Sequence, residues 1–87
     1  MKIMKKNGNV VVYDDEKIVR SILKANDEIP RETVSGSTAR SIVNTVINAL
    51  AEDNAIITTE DIRKGLYEEM VKRGYHKTAE AYRDYKK

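Results

Sequence analysis

The hydrophobic positions of this chain form two short strand-like runs at the N-terminus and, from residue 18 onward, recur at helical spacing. Ile3 to Lys6 and Val10 to Tyr13 flank Asn7-Gly8. That dipeptide tolerates the positive φ angles of a type I′ turn, so the chain is expected to open on a β-hairpin. Asp14 or Asp15 then caps a helix carrying Ile18, Val19, Ile22 and Leu23, with acids in its first turn favouring the helix dipole and an end near Asn26. Residues 27–37 hold the only Pro and a Gly and read as a loop with room for a turn of helix. A second helix follows, its apolar stripe made of Ala39, Ile42, Val43, Val46, Ile47 and Leu50 on one face, and Asn54 ends it.

Ala55-Ile56-Ile57 is a candidate third strand, and Thr58-Thr59-Glu60-Asp61 places a hydroxyl cap three residues before an acid, the signature of a helix start. In that third helix Ile62, Leu66 and Met70, with Tyr67 and Val71, are expected to face inward, and Gly74 closes it. Thr78 to about Tyr85 makes a fourth helix with Ala79, Tyr82 and Tyr85 on neighbouring faces. The expected class is α+β, mainly α: a four-helix bundle capped by a small β-hairpin or three-stranded sheet. No internal repeat or low-complexity segment interrupts it.

Composition narrows the picture. A chain of 87 residues is expected to form one domain, with a core small enough that most apolar residues must be used in packing. That core is aliphatic, since Phe and Trp are absent. Without cysteine there is no disulfide, thiol nucleophile, zinc ribbon or iron–sulfur cluster within these residues. Met1 to Lys6 runs into Asn7-Gly8 rather than an apolar stretch, which does not read as a signal peptide, and a cytoplasmic location is expected. The net charge of +2 is too small to argue for nucleic acid, but it is unevenly spread. Residues 1–24 hold six Lys/Arg against three acids, residues 72–87 six against two, and residues 25–71 four against nine. If the fold joins the ends, they make a cationic surface suited to phosphates.

No phosphate-binding glycine loop of the hydrolase or dinucleotide type is present; Gly8, Gly36, Gly65 and Gly74 are scattered. The single histidine, His76, reads as a surface residue after a helix C-cap, and Asp14-Asp15-Glu16 as cap and dipole partners, with the Mg²⁺ of a bound nucleotide kept open. No nucleophile or metal set is spelled out, so the reading is not an enzyme.

An ordered set of short motifs carries more weight than any single one: Ile3, Lys5-Lys6-Asn7-Gly8, Tyr13-Asp14, Lys17-Ile18, Ile57-Thr58-Thr59-Glu60-Asp61-Ile62, Ala79-Glu80-Ala81-Tyr82 and Tyr85-Lys86. In order and spacing this set resembles the ATP-cone domain, the nucleotide-sensing regulatory module of ribonucleotide reductases and related regulators. The resemblance spans nearly the whole chain. It implies that Lys5, Lys6 and Lys86 meet the phosphates of ATP or dATP with its Mg²⁺, that Lys17 and Thr59 line the pocket, and that Ile3 and Asp14 sit near the adenine. It also implies a reductase or other regulatory protein as partner, with self-association into a homo-oligomer as a further outcome; separately, no run approaches the roughly eighteen apolar residues of a membrane span, so no membrane is expected, and the small net charge does not favour nucleic acid.

Three positions depart from the family pattern: Lys6 stands where Arg is usual, Asn7 where Asp is usual and Val11 where an acid is usual. Lys in place of Arg gives up a bidentate phosphate contact, and Val11 offers no hydrogen bond. Two functions follow from the same pattern. One is an allosteric adenine-nucleotide sensor that does not hydrolyse its ligand; the alternative is a degenerate cone serving as a protein-interaction or dimerisation module.

Overall fold

A computed structural model describes residues 2–4, 10–12, 14–53 and 57–84, the first two segments and Asp53 by their backbone. Among the described residues the chain is mostly helical, with four helices: α1 (Asp15–Asp27), α2 (Gly36–Asp53), α3 (Thr59–Lys72) and α4 (His76–Asp84). Three short strands accompany them: β1 (Lys2–Met4), β2 (Val10–Val12) and β3 (Ile57–Thr58). β1 is the central strand. It pairs antiparallel with β2, Ile3 opposite Val11, and parallel with β3, Ile3 opposite Ile57 and Met4 opposite Thr58.

Local chemistry sets most of the helix ends. Asp14 is the N-cap of α1, its carboxylate accepting the Lys17 N–H. The Ser35 hydroxyl accepts the Thr38 N–H at 3.1 Å and starts α2. Thr58 caps α3 in a complete capping box: its hydroxyl accepts the Asp61 N–H at 3.0 Å while Asp61 accepts the Thr58 N–H at 3.1 Å. At the other end of α3, Gly74 adopts φ +96°, a conformation that favours glycine. The turn is a Schellman motif, with the Gly74 N–H donating to the Val71 carbonyl and the Tyr75 N–H to that of Met70.

The helices pack in a ring: α1 lies against α2 and α4, and α3 against α2 and α4. Each turns one stripe inward. Val19 and Ile22 of α1, Ala39, Ile42, Val43, Val46 and Ile47 of α2, Ile62, Leu66 and Met70 of α3 and Ala79 of α4 form one buried cluster, joined by Val34 and by Ile57 of β3. Leu50, Tyr67, Val71 and Tyr82 pack on its rim. The inward stripes read from spacing on α2 and α3 are therefore the ones that build the core.

Several boundaries differ from the sequence expectation. α4 starts at His76, two residues before Thr78, and α2 starts at Gly36, inside the stretch read as loop. α1 runs to Asp27, one residue past Asn26. The third strand includes Ile57, as expected, and continues to Thr58. The Asn7-Gly8 turn, the Asn54 helix stop and Ala55-Ile56 lie outside the described residues.

Candidate functional site

The pairing of β1 brings two helix starts to the same strand. At its C-terminal end Met4 lies opposite Thr58, the cap of α3, and Thr59 is the first residue of that helix. At its N-terminal end Lys2 lies opposite Val12, from which the chain reaches the α1 cap at Asp14 within two residues. With a rise of about 3.3 Å per residue, the three residues of β1 separate these ends by under ~10 Å. Ile3 is the midpoint, its backbone flanked by Val11 and Ile57.

Of the residues singled out in the sequence, Ile3 thus occupies the centre of the sheet, Asp14 the α1 cap, and Thr59 the half-buried first position of α3. Lys17 is exposed in the first turn of α1, and its backbone N–H closes onto Asp14 at 3.3 Å. Lys5, Lys6 and Lys86 lie outside the described residues.

Asp14, Glu16 and Asp61, three of the acids around these helix starts, are already engaged. Glu16 forms a two-armed ion pair with Arg40 of α2, Arg40 Nη1 to Oε2 and Nη2 to Oε1. The hydrogen bond from Arg40, with the charges of Arg40 and Arg20, holds the Glu16 carboxyl below its ordinary range despite some desolvation. Asp61 is used in the α3 capping box. Asp14 therefore serves as a cap and Glu16 as half of an interhelical pair, and among the described residues no three acid, histidine or cysteine side chains gather in a metal-holding group. His76 is exposed at the first position of α4.

Near the C-terminal end of α4, the Arg83 guanidinium lies 5.1 Å from the centre of the Tyr67 ring, a cation–π arrangement joining α4 to α3. Tyr82 packs on the core rim; burial pushes its hydroxyl up from its ordinary value, against the opposing charge of Arg63. Arg73 ends α3 and ties it to α2, donating from Nε to Glu69 at 2.8 Å and from its two terminal nitrogens to Ser41 and Thr45, each at 3.2 Å.

A polar cluster that the sequence reading did not find sits where α1 ends and α4 begins. Asn26 Nδ2 donates to the Glu32 carbonyl at 2.7 Å and to Thr78 Oγ1 at 3.0 Å, while its Oδ1 accepts the Val34 N–H at 3.1 Å. The Glu32 carboxylate accepts the Lys77 N–H at 2.9 Å and the Thr78 N–H at 2.8 Å. Partial burial raises the Glu32 carboxyl, but the donors at Lys77 and Thr78 and the nearby charge of His76 outweigh it and leave it below its ordinary range. No local signal exposes this cluster: its members are brought together by the fold, and only the observed start of α4 at His76 shows that the preceding Tyr75 carries no oxygen suited to an N-cap.

A search of curated proteins finds no match to this chain. The family model of the ATP cone domain matches residues 1–87, the full sequence. That domain is a nucleotide-binding regulatory module and not a catalytic one. No helix among the described residues is long and apolar enough to cross a membrane. The family match covers the hairpin segment, both capped helix starts and the C-terminal Ala79-Glu80-Ala81-Tyr82 together, and on that match the chain belongs to the ATP-cone family.

Proposed function

We propose that residues 1–87 are one ATP-cone domain that binds ATP or dATP as an allosteric effector and releases it unchanged. The observation that carries this reading is the match of the ATP cone domain over the whole chain. Supporting it is the register of β1, which sets Ile3 between the starts of α1 and α3. In this reading the three-stranded sheet closes one end of the helical bundle, and the nucleotide lies over it.

The roles follow from chemistry. Lys5 and Lys6, directly after β1 in sequence, and Lys86, after α4, supply mobile ammonium groups for the phosphates. Lys17 and Thr59 line the pocket, Ile3 sits near the base, and Asp14 accepts from the adenine amino group. The first-turn N–H groups of a helix have no intrahelical partner and suit an anion. Here acids crowd both first turns, Asp15 and Glu16 in α1 and Glu60 and Asp61 in α3, and offset the positive end of each dipole. The lysines therefore carry the main burden of phosphate charge. Carboxylates are suitable ligands for Mg²⁺, but with Asp14 used as a cap and Glu16 paired to Arg40, the ion is carried by the phosphates.

Binding acts on a partner only if the nucleotide has different affinity for two states of the assembly. The partner is a reductase or other regulatory protein in the cytoplasm, or a second copy of this chain. Calorimetric titration with ATP and with dATP, each with Mg²⁺, tests the proposal on the unmodified chain and on Lys5→Ala. Saturable heat that is lost or weakened about tenfold or more by Lys5→Ala is the expected result, the scale of a lost charge-assisted contact. No heat at millimolar nucleotide would transfer support to the interaction-module reading, in which Lys6 and Val11 mark a site no longer used.

A further inference from the structure

The start of α4 has no cap of its own. Its preceding residue, Tyr75, is already committed to the turn that ends α3, where its N–H bonds to the Met70 carbonyl at 2.8 Å. The cap comes instead from Glu32, whose two carboxylate oxygens take the N–H groups of Lys77 and Thr78, 45 and 46 residues away in sequence. Such a bond is charge-assisted and also places an anion at the positive end of the helix dipole. Asn26 holds the capping segment in place, bonding to the Glu32 carbonyl, the Val34 N–H and the Thr78 hydroxyl.

α4 depends on this borrowed cap more than the other helices depend on theirs. It has nine residues, a length at which an isolated helix is marginal, and only Thr78 and Ala79 of it are buried. Asn26 also lies in the last turn of α1, whose other end is the Asp14 cap beside the sheet. A helix of 13 residues, about 20 Å long, thus runs from the candidate nucleotide site to the clasp on α4.

We infer that Glu32 is a positioning residue: by capping α4 from the segment between α1 and α2, it sets how fully α4 is docked on the last turn of α1, the helix whose other end is the Asp14 cap of the candidate nucleotide site. This rests on the nucleotide reading proposed above. The docking part stands on the hydrogen bonds themselves, and short helices with little buried surface are the units that open first.

The test pairs amide hydrogen exchange with calorimetric titration of MgATP on the unmodified chain, Glu32→Gln and Glu32→Ala, with Gly65→Ala as a control that perturbs the α2–α3 interface away from the clasp. Glu32→Ala is expected to lower protection across residues 77–84 about tenfold while leaving Ile42, Val43 and Leu66 unchanged, and to weaken MgATP binding by about five- to tenfold. Glu32→Gln, which keeps one acceptor oxygen, falls between. Gly65→Ala, at a temperature where it remains folded, leaves MgATP affinity unchanged. Exchange that is unaltered, or that rises equally in all four helices, would overturn the docking role. Unaltered MgATP affinity despite local loss of α4 protection would overturn the positioning role alone. No binding by the unmodified chain would overturn the nucleotide reading and the positioning role with it, with the exchange data still deciding whether Glu32 docks α4.

Discussion

Leu66→Ala is expected to remove about 2–5 kcal/mol of folding stability, the range for truncating a large aliphatic side chain in a packed core. Leu66 is fully buried on α3 and belongs to the cluster that also holds Ile42 and Met70. For a chain of 87 residues, total stability at roughly 0.05–0.15 kcal/mol per residue is about 4–13 kcal/mol. One side chain therefore carries a large share. The chain has no Phe or Trp, so the neighbouring surface is built of aliphatic groups, and Met70 is the flexible neighbour able to fill part of the void. Urea unfolding followed by far-ultraviolet circular dichroism gives the loss from the midpoint and slope. A change below about 1 kcal/mol would mean that the α3 stripe is not the centre of the core.

Gly65→Ala is expected to destabilise the fold, although the same change inside an ordinary helix gains up to about 1 kcal/mol from backbone propensity. A Cβ at residue 65 would stand 2.6 Å from Val46 Cγ1. Val46 is β-branched and nearly fixed in one rotamer within a helix, so it cannot swing away. The α2 and α3 backbones must separate instead, and overpacking of this kind costs about 1–3 kcal/mol. The net loss is about 0–2 kcal/mol once the propensity gain is subtracted. A double-mutant cycle isolates the cause: with Val46→Ala in place, Gly65→Ala should become neutral or stabilising. A Gly65→Ala variant that is more stable in the presence of Val46 would show that the two helices do not meet as closely as this geometry requires.

Signals confined to a few neighbouring residues were legible in the sequence, and those that depend on distant partners were not. Thr58 and Asp61 spell a capping box, and the structure forms both of its bonds. Asp14 before an acidic first turn reads as a cap and is one. The six apolar positions of α2 from Ala39 to Leu50 follow helical spacing, and five of them are buried with Leu50 at the rim. By contrast, Thr78 has the chemistry of a cap, which draws the start of α4 to it; the carboxylate of Glu32 supplies that function and lets the helix begin at His76. Ser35 similarly starts α2 ahead of the point that Gly36 and Ser37 suggest. The parallel pairing of β1 with β3 joins residues more than fifty positions apart and leaves no local trace. For the candidate site, the helix-start positions of Asp14 and Thr59 and the placement of Ile3 in a strand were readable from local pattern, whereas the neighbourhood that the β1 pairings create was not.

The central claim is that an adenine nucleotide binds where β1 meets the starts of α1 and α3. Two-dimensional amide NMR of the uniformly labelled chain, recorded as MgATP is added, tests it most directly. The account predicts saturable shifts grouped at Ile3 to Lys6, Asp14 to Lys17, Thr58 to Glu60 and Lys86, with the buried middle of α2 around Val43 little changed. Shifts confined to another surface, or a spectrum unaltered at millimolar nucleotide, would contradict it.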